Sequence, residues 1–270
     1  MSELVDLVRH GRIFVLTINS PTNRNAISLD LTRALSSAIR ECRDDRGCRV
    51  IVLAGSGTSF CAGADLKSSP QPGDIPGTDN MGSLGFTYKM QEYLASLVID
   101  IHECEKPVVA AIQGHCYGIG LSIAAAADVR ICASSAKFCA AYIKTGLSAC
   151  DMGSSYLLPK LMGLSIATEF MMTGRVMLAD EALSCGFVSS SVDDEILLSN
   201  AMTLAEKISA NSEYGVMMTK SCLRTSASST SLRAAIEMEN RQQVLGCFTG
   251  CFDEMIAAFA EGRKPTFKDL

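Results

Sequence analysis

Two stretches of the chain share one design, an apolar strand followed by a glycine-rich turn and a helix start: VIVLAGSGTSFCAGADLK at 50–67 and VVAAIQGHCYGIGLSIAAAADV at 108–129. Such a turn leaves backbone N–H groups at a helix N-terminus without intrahelical partners, where the helix dipole also favours negative charge. Two of these turns set face to face would form an oxyanion hole. Preorganised donors of this kind answer charge that develops on a carbonyl oxygen, with no metal or cofactor.

Other chemistries that glycine-rich turns serve fit less well. Gly118-Ile119-Gly120 begins a dinucleotide-type pattern, but its third position is Ile123 and no fitting acidic partner follows. No phosphate-binding G-x-x-x-x-G-K-[ST] occurs, and Gly146-Leu147-Ser148-Ala149-Cys150 misses a nucleophile elbow at its last position. His10, His102 and His115 have no spacing that pairs one of them with a serine, and no cluster has metal-ligand spacing.

The elements that would position the turns read as alternating strands and helices. Residues 4–8 and 12–18 form a strand hairpin around His10-Gly11. Ser28 is a candidate N-cap for a helix carrying Leu31, Leu35, Ala38, Ile39 and Cys42 on one face and stopping near Gly47. RVIVLA (49–54) and PVVAAI (107–112) lack polar alternation, as strands covered on both faces do. Between them lie SSPQPGDIPGTDNMGSLG (68–85), rich in Pro and Gly and read as a long mobile loop, and a helix over 86–103. From about Ser154 the pattern is helical almost throughout, including 195–209, 230–246 and 252–261. The expected organisation is an α/β core over 1–195 and an all-helical region over 196–270.

Composition narrows the partners. A net charge of −5 argues against nucleic acid or an anionic membrane as the main partner, because those need a concentrated basic footprint. Any phosphate on the ligand must be met locally. Twelve cysteines without a CxxC pair, and an N-terminal MSELVDLVRHGR with no apolar core, read as reduced thiols in an intracellular protein rather than a secreted disulfide scaffold. No apolar run is long enough to span a bilayer. The expected location is cytoplasmic, with an organelle left open, since the terminal Lys-Asp-Leu matches a peroxisomal signal only loosely.

Six stretches then carry a resemblance. NSPTNRNAIS (19–28), SFCAGADLK (59–67), KPVVAAIQGHCYGIG (106–120), GLSACDMGSSYLLPKLMG (146–163), TGRVMLADEALSCGFV (173–188) and AAFAEGRKPTF (257–267) resemble, in that order, the successive motifs of the crotonase superfamily, which includes the enoyl-CoA hydratases and isomerases. The resemblance spans nearly the whole chain. It implies an α/β fold made of a crotonase-like spiral of ββα units, an all-helical C-terminal trimerisation region, and homotrimers or homohexamers. The implied substrate is an unsaturated acyl-CoA thioester of the kind met in fatty-acid β-oxidation, with coenzyme A entering as part of the substrate and no further cofactor. Deprotonation beside a thioester, or addition to the conjugated double bond, puts charge on the carbonyl oxygen in the transition state, which suits an oxyanion hole.

Carried over by position, the N–H groups of Ala62 and Ile119 would form that hole, with Ile119 standing where the family usually has glycine. Ala26, Ile27, Ala64, Asp65 and Lys67 would line the path of the CoA adenine and pantetheine, with Arg24 near its phosphates; Asp65 equally fits an ion pair or a cap. Hydratases of the superfamily hold water between two glutamates, and Ser122 and Tyr142 stand at those positions here. Asp151 falls, with one extra residue in the alignment, near an aspartate kept by the dienoyl-CoA isomerases, and is the candidate general acid/base or else a cap for a helix beginning near Gly153. One carboxylate suits a double-bond shift; hydration would ask for a second, from Asp74, Asp79 or Glu92. The rival readings are an acyl-CoA thioester hydrolase of the same fold and a catalytically degenerate protein that binds acyl-CoA or a partner.

Overall fold

Val5–His10 (β1) and Ile13–Ile18 (β2) form the expected antiparallel hairpin, turning at Gly11 in the left-handed region (φ 59°). The computed structural model describes residues 3–228 and 231–269. Ser28 caps the helix Leu29–Asp44 (α1), its Oγ accepting the Leu31 N–H at 3.2 Å. The residues foreseen on its apolar face, from Leu31 to Cys42, are buried. There follow Val50–Gly55 (β3), Ser83–Glu103 (α2), Val108–Ile112 (β4), His115–Tyr117 (β5), Ile119–Ala126 (α3), Val129–Ala133 (β6) and Lys137–Cys139 (β7). The rest comprises Ser154–Met162 (α4), Leu164–Thr173 (α5), Met177–Leu178 (β8), Ala179–Ser184 (α6), Ser190–Val192 (β9), Leu197–Ser209 (α7), Glu213–Ser226 (α8), Leu232–Gly246 (α9) and Cys251–Glu261 (α10).

The larger sheet runs β1-β2-β3-β4-β6-β9, parallel from β2 onward, and the smaller runs β5-β7-β8. One face of the larger sheet is closed by α7, whose Leu197, Ala201 and Ala205 pack on Val50, Val52, Val109 and Ala111. The other face packs Ile51, Leu53, Val108 and Ala110 among residues of α1, α2 and α3. With both faces covered, β3 and β4 have no place for polar alternation. By packing, α7 therefore belongs to the sheet.

Two expectations change. The 68–82 segment is tied down rather than loose: Ile75 packs with Leu29 and Phe86, and the buried Thr78 hydroxyl donates to Ile75 O at 2.7 Å while accepting the Gly73 N–H at 3.0 Å. The helical reading beyond Ser154 missed β8 and β9, of two and three residues, which are too short to show a period of two. The helix α8 docks through charge. Lys220 reaches Asp128 (2.6 Å) and the Lys106 carbonyl (3.0 Å), Lys106 pairs with Glu213 (3.0 Å), and Arg49 lies 4.0 Å from the same Glu213 carboxylate.

Candidate active site

The two glycine-rich turns lie side by side because their backbones are bonded directly to each other. Phe60 N–H donates to Gln113 O (2.8 Å), Cys61 N–H to His115 O (2.9 Å), and Tyr117 N–H to Cys61 O (3.0 Å). So close an approach requires glycine at position 120, where a Cβ would stand 2.4 Å from the Cys61 carbonyl oxygen and 2.8 Å from its Cβ. Gly120→Ala should push the turns apart, lowering Tm by roughly 6–12 °C for an overpacking cost of about 3 kcal/mol, with activity falling in step. Paired thermal denaturation and turnover measurements check this. Ser59 Oγ lies 3.1 Å from His115 Nδ1, a contact that no spacing in the sequence announces. Ser59 is buried, and the imidazole is held neutral by burial and by Arg24 and Lys137, so the pair braces the junction of the turns.

The register of the donors differs from expectation. Ala62 N–H is spent on Arg24 O at 3.0 Å, so it has no capacity left for a ligand. That bond belongs to a turn in which Arg24 and Asn25 are both left-handed (φ 51° and 57°). The buried Asn25 side chain holds it, accepting from Ser20 N–H (2.9 Å) and donating to Ser56 O (2.9 Å) and Ser59 O (2.7 Å). Next, Ile27 N–H donates to Gly63 O (2.8 Å) and Asp65 N–H to Ile27 O (2.9 Å). Between those two bonds the Ala64 N–H has no acceptor among the described residues. Opposite stands Ile119, first residue of α3 after Gly118, whose N–H has no intrahelical partner. A Cβ on Gly118 would stand 3.9 Å from the Cα of Gly63, so the two turns face one another at this point. The N–H groups left without a backbone acceptor at this junction, among the described residues, are those of Ala64 and Ile119. The Ile119 side chain, 3 % exposed, packs into the core.

Beside Gly118 sits Tyr142, from the helical turn Ala141–Thr145, with its Cε1 3.6 Å from where a Gly118 Cβ would be. Its hydroxyl lies 3.0 Å from Ser122 Oγ. Ser122 is wholly buried in α3 and does not cap it; Gly118 holds the cap position. Burial pushes the Tyr142 hydroxyl above its ordinary value, so it stays protonated. Ser122 and Tyr142 thus form a neutral hydroxyl pair at the positions where the resemblance implies two carboxylates in hydratases.

Asp151 adjoins that pair, its carbonyl oxygen 3.4 Å from Ser122 Oγ. Its side chain does not cap α4: the helix starts at Ser154 behind Gly153 (φ 80°), with no side-chain cap. Instead the carboxylate accepts the Gln91 amide from α2, while the Asp151 N–H donates to Ser154 Oγ at 3.0 Å. Burial raises the Asp151 carboxyl above the usual aspartate range, against a downward pull from the Met152 N–H and the Gln91 amide. The other carboxylates considered are engaged elsewhere or apart: Asp74 accepts the Gln71 N–H (2.7 Å), Glu92 pairs with Lys89 (2.7 Å), and Asp79 lies beside Gly73.

Arg24, Ala26, Ile27, Ala64, Asp65 and Lys67 are brought to one edge by the bonds between 24–27 and 62–65. Ile27 is buried and presents backbone to that edge, and Asp65 accepts the Lys67 N–H at 3.0 Å within its own turn. Arg24 and Lys67 are exposed. Among the described residues there is no group of three or more side chains fit to hold a metal, and no helix long and apolar enough to cross a membrane.

This mixed α/β core followed by a helical C-terminal region is the fold of the crotonase class. The enoyl-CoA hydratase/isomerase family model matches residues 9–270, and the chain belongs to that family. A "Probable enoyl-CoA hydratase echA12" of Mycobacterium bovis is 38 % identical over 266 residues, covering 97 % of this chain and 92 % of the relative. The carnitinyl-CoA dehydratase of Salmonella enteritidis is 36 % identical over 228 residues, covering 84 % and 82 %. A crystal structure described as a "probable enoyl-CoA hydratase/isomerase" from Mycobacterium abscessus superposes with a TM-score of 0.92 at 33 % identity, covering 98 % of this chain and 99 % of that one. The protein is an enzyme of the enoyl-CoA hydratase/isomerase type.

Proposed function

We propose that this enzyme shifts the double bond of an unsaturated acyl-CoA thioester, with Asp151 moving the proton and the N–H groups of Ala64 and Ile119 receiving the charge of the enolate. The observation that carries this reading is that Asp151 adjoins a neutral Ser122–Tyr142 pair, with no second carboxylate bonded to that pair among the described residues. Asp151, ionised, takes the proton from the carbon next to the thioester. The electron pair delocalises onto the carbonyl oxygen, where two fixed donors stabilise it. Asp151, now protonated, returns the proton two carbons further along the chain, and the double bond ends conjugated with the thioester. Its raised pKa brings the carboxyl closer to neutral, the useful direction for a group that must both take and give a proton.

Arg24 is suited to the phosphates of CoA, and Ala26, Ile27, Asp65 and Lys67 to its adenine and pantetheine. No cofactor beyond the CoA of the substrate enters the scheme. Assembly into trimers, or pairs of trimers, is supported by large apolar side chains left open in the C-terminal helical region, among them Phe248 in the turn between α9 and α10 (84 % exposed) and Phe259 on α10 (85 %). The free thiols suit a reducing, cytoplasmic setting.

Incubation with crotonyl-CoA, 3-hexenoyl-CoA and a 3,5-dienoyl-CoA in heavy-oxygen water tests the reading by mass spectrometry. A double-bond shift without oxygen uptake is the expected result. Heavy oxygen in the acyl chain would establish hydration and require a second proton-transfer group. Release of free CoA would instead establish thioester hydrolysis, and tight CoA binding without conversion a binding protein.

A further inference from the structure

We infer that Gln91, on α2, is a positioning residue for Asp151: its neutral amide fixes the carboxylate through one oxygen and leaves the other to move the proton. This rests on the reading of Asp151 as the acid/base group. The backbone around Asp151 is firmly tied. Its N–H donates to Ser154 Oγ (3.0 Å), and its carbonyl accepts from Ser154 N–H (2.9 Å) and Ser122 Oγ (3.4 Å). Met152 and Gly153, both left-handed (φ 46° and 80°), then turn the chain into α4. The carboxylate itself has one side-chain hydrogen bond among the described residues, from Gln91 to Oδ1, across 60 positions of sequence. The Met152 N–H also reaches the carboxylate, but from its own turn; Gln91 is the anchor from another element, and a proton-transfer group must be held in line with the carbon it serves.

The type of residue matters as much as the contact. A cation within about 4–6 Å of a carboxylate lowers its pKa by roughly 1–3 units, whereas an amide orients it without adding charge. The groups facing Asp151 keep that neutrality. The α2 helix offers Gln91, with Lys89 and Glu92 of the same helix paired to each other at 2.7 Å. From α3 comes Ser122, from α4 Ser154, and from the Ala141–Thr145 turn Tyr142, the titratable neighbour, which burial keeps protonated. Gln91 is exposed, so its replacement removes a tether without opening the core.

The test is the pH profile of kcat/KM on the best unsaturated acyl-CoA for the wild type, Gln91→Leu, Gln91→Lys and Asp151→Asn. Gln91→Leu should lose roughly 10–100-fold in kcat with little change in KM. Its acid limb should move to higher pH, because the lost donor favoured the ionised carboxylate. Gln91→Lys should move the limb the opposite way, since a cation stabilises the same form. Opposite displacements by two substitutions at one exposed position are a signature that a purely structural role does not produce. If Asp151→Asn is inactive while both Gln91 profiles superpose on the wild type, the inference about Gln91 falls alone. If Asp151→Asn keeps full turnover, the reading of Asp151 falls and the inference with it.

Discussion

Asp151→Asn should lose about 10²- to 10⁴-fold in kcat on unsaturated acyl-CoA thioesters while KM stays within a few-fold, the range that general acid–base groups contribute. Asparagine keeps the shape and can still accept the Gln91 amide through Oδ1, so the variant removes the proton acceptor and little else. The same substitution should make the protein more stable near neutral pH. Burial raises the folded-state pKa of Asp151 above its unfolded value of about 3.9, so the ionised side chain is penalised in the native state. The stability linked to this group is therefore fully present below the unfolded pKa and is lost as pH rises through the raised folded value. Asparagine does not titrate. Its Tm should exceed that of the wild type at pH 7, and the gap should close in acid, as thermal denaturation across pH would record. An enzyme that holds a carboxylate partly out of water gives up stability for the proton transfer it gains.

Ala64→Pro should cost about 10²- to 10³-fold in kcat, the effect of deleting one oxyanion donor, while CoA binding and the fold persist. Proline removes the Ala64 N–H, which has no acceptor among the described residues, and leaves the flanking bonds Ile27 N–H to Gly63 O and Asp65 N–H to Ile27 O in place. Ala64 is exposed, so no core packing is lost. Proline is tolerated at an edge position whose N–H is unbonded. Ala62→Pro should behave differently. It deletes the bond to Arg24 O that shapes the 20–27 turn, so its damage should appear as lost stability. Kinetics and denaturation on both variants separate the donor that meets substrate from the donor that builds the turn.

That contrast shows where sequence reading reaches its limit. Strand and glycine turn were legible twice over, because β3 and β4 are covered on both faces and Gly120 has no room for a Cβ, but the helix start expected after each turn follows only the second, at Ile119, since residues 62–65 bond to the 24–27 turn instead. Which N–H stays open was not legible, since the choice between 62 and 64 depends on where the Arg24 carbonyl points, and a left-handed Arg24-Asn25 pair has no obvious signature. Asp151 was recognisable as a residue, but its tether comes from a helix 60 positions earlier, and a glutamine there reads as ordinary surface. The Ser59–His115 contact was hidden for the same reason, with 56 positions between its partners. The helix α8 was not singled out because EYGVMMTKSCLRTS has no continuous apolar stripe: its buried Glu213 and Lys220 dock by ion pairs instead.

Proton exchange next to the thioester reads enolate formation without waiting for product. In heavy water, with a saturated acyl-CoA such as hexanoyl-CoA, the wild type should wash deuterium into the carbon beside the carbonyl, because the half-buried Asp151 trades its proton with solvent between events. Asp151→Asn and Ala64→Pro should each slow that exchange by at least about 100-fold while still binding CoA. Wild-type exchange that is absent, or that survives unchanged in both variants, would contradict an enolate formed by Asp151 and held at Ala64 and Ile119.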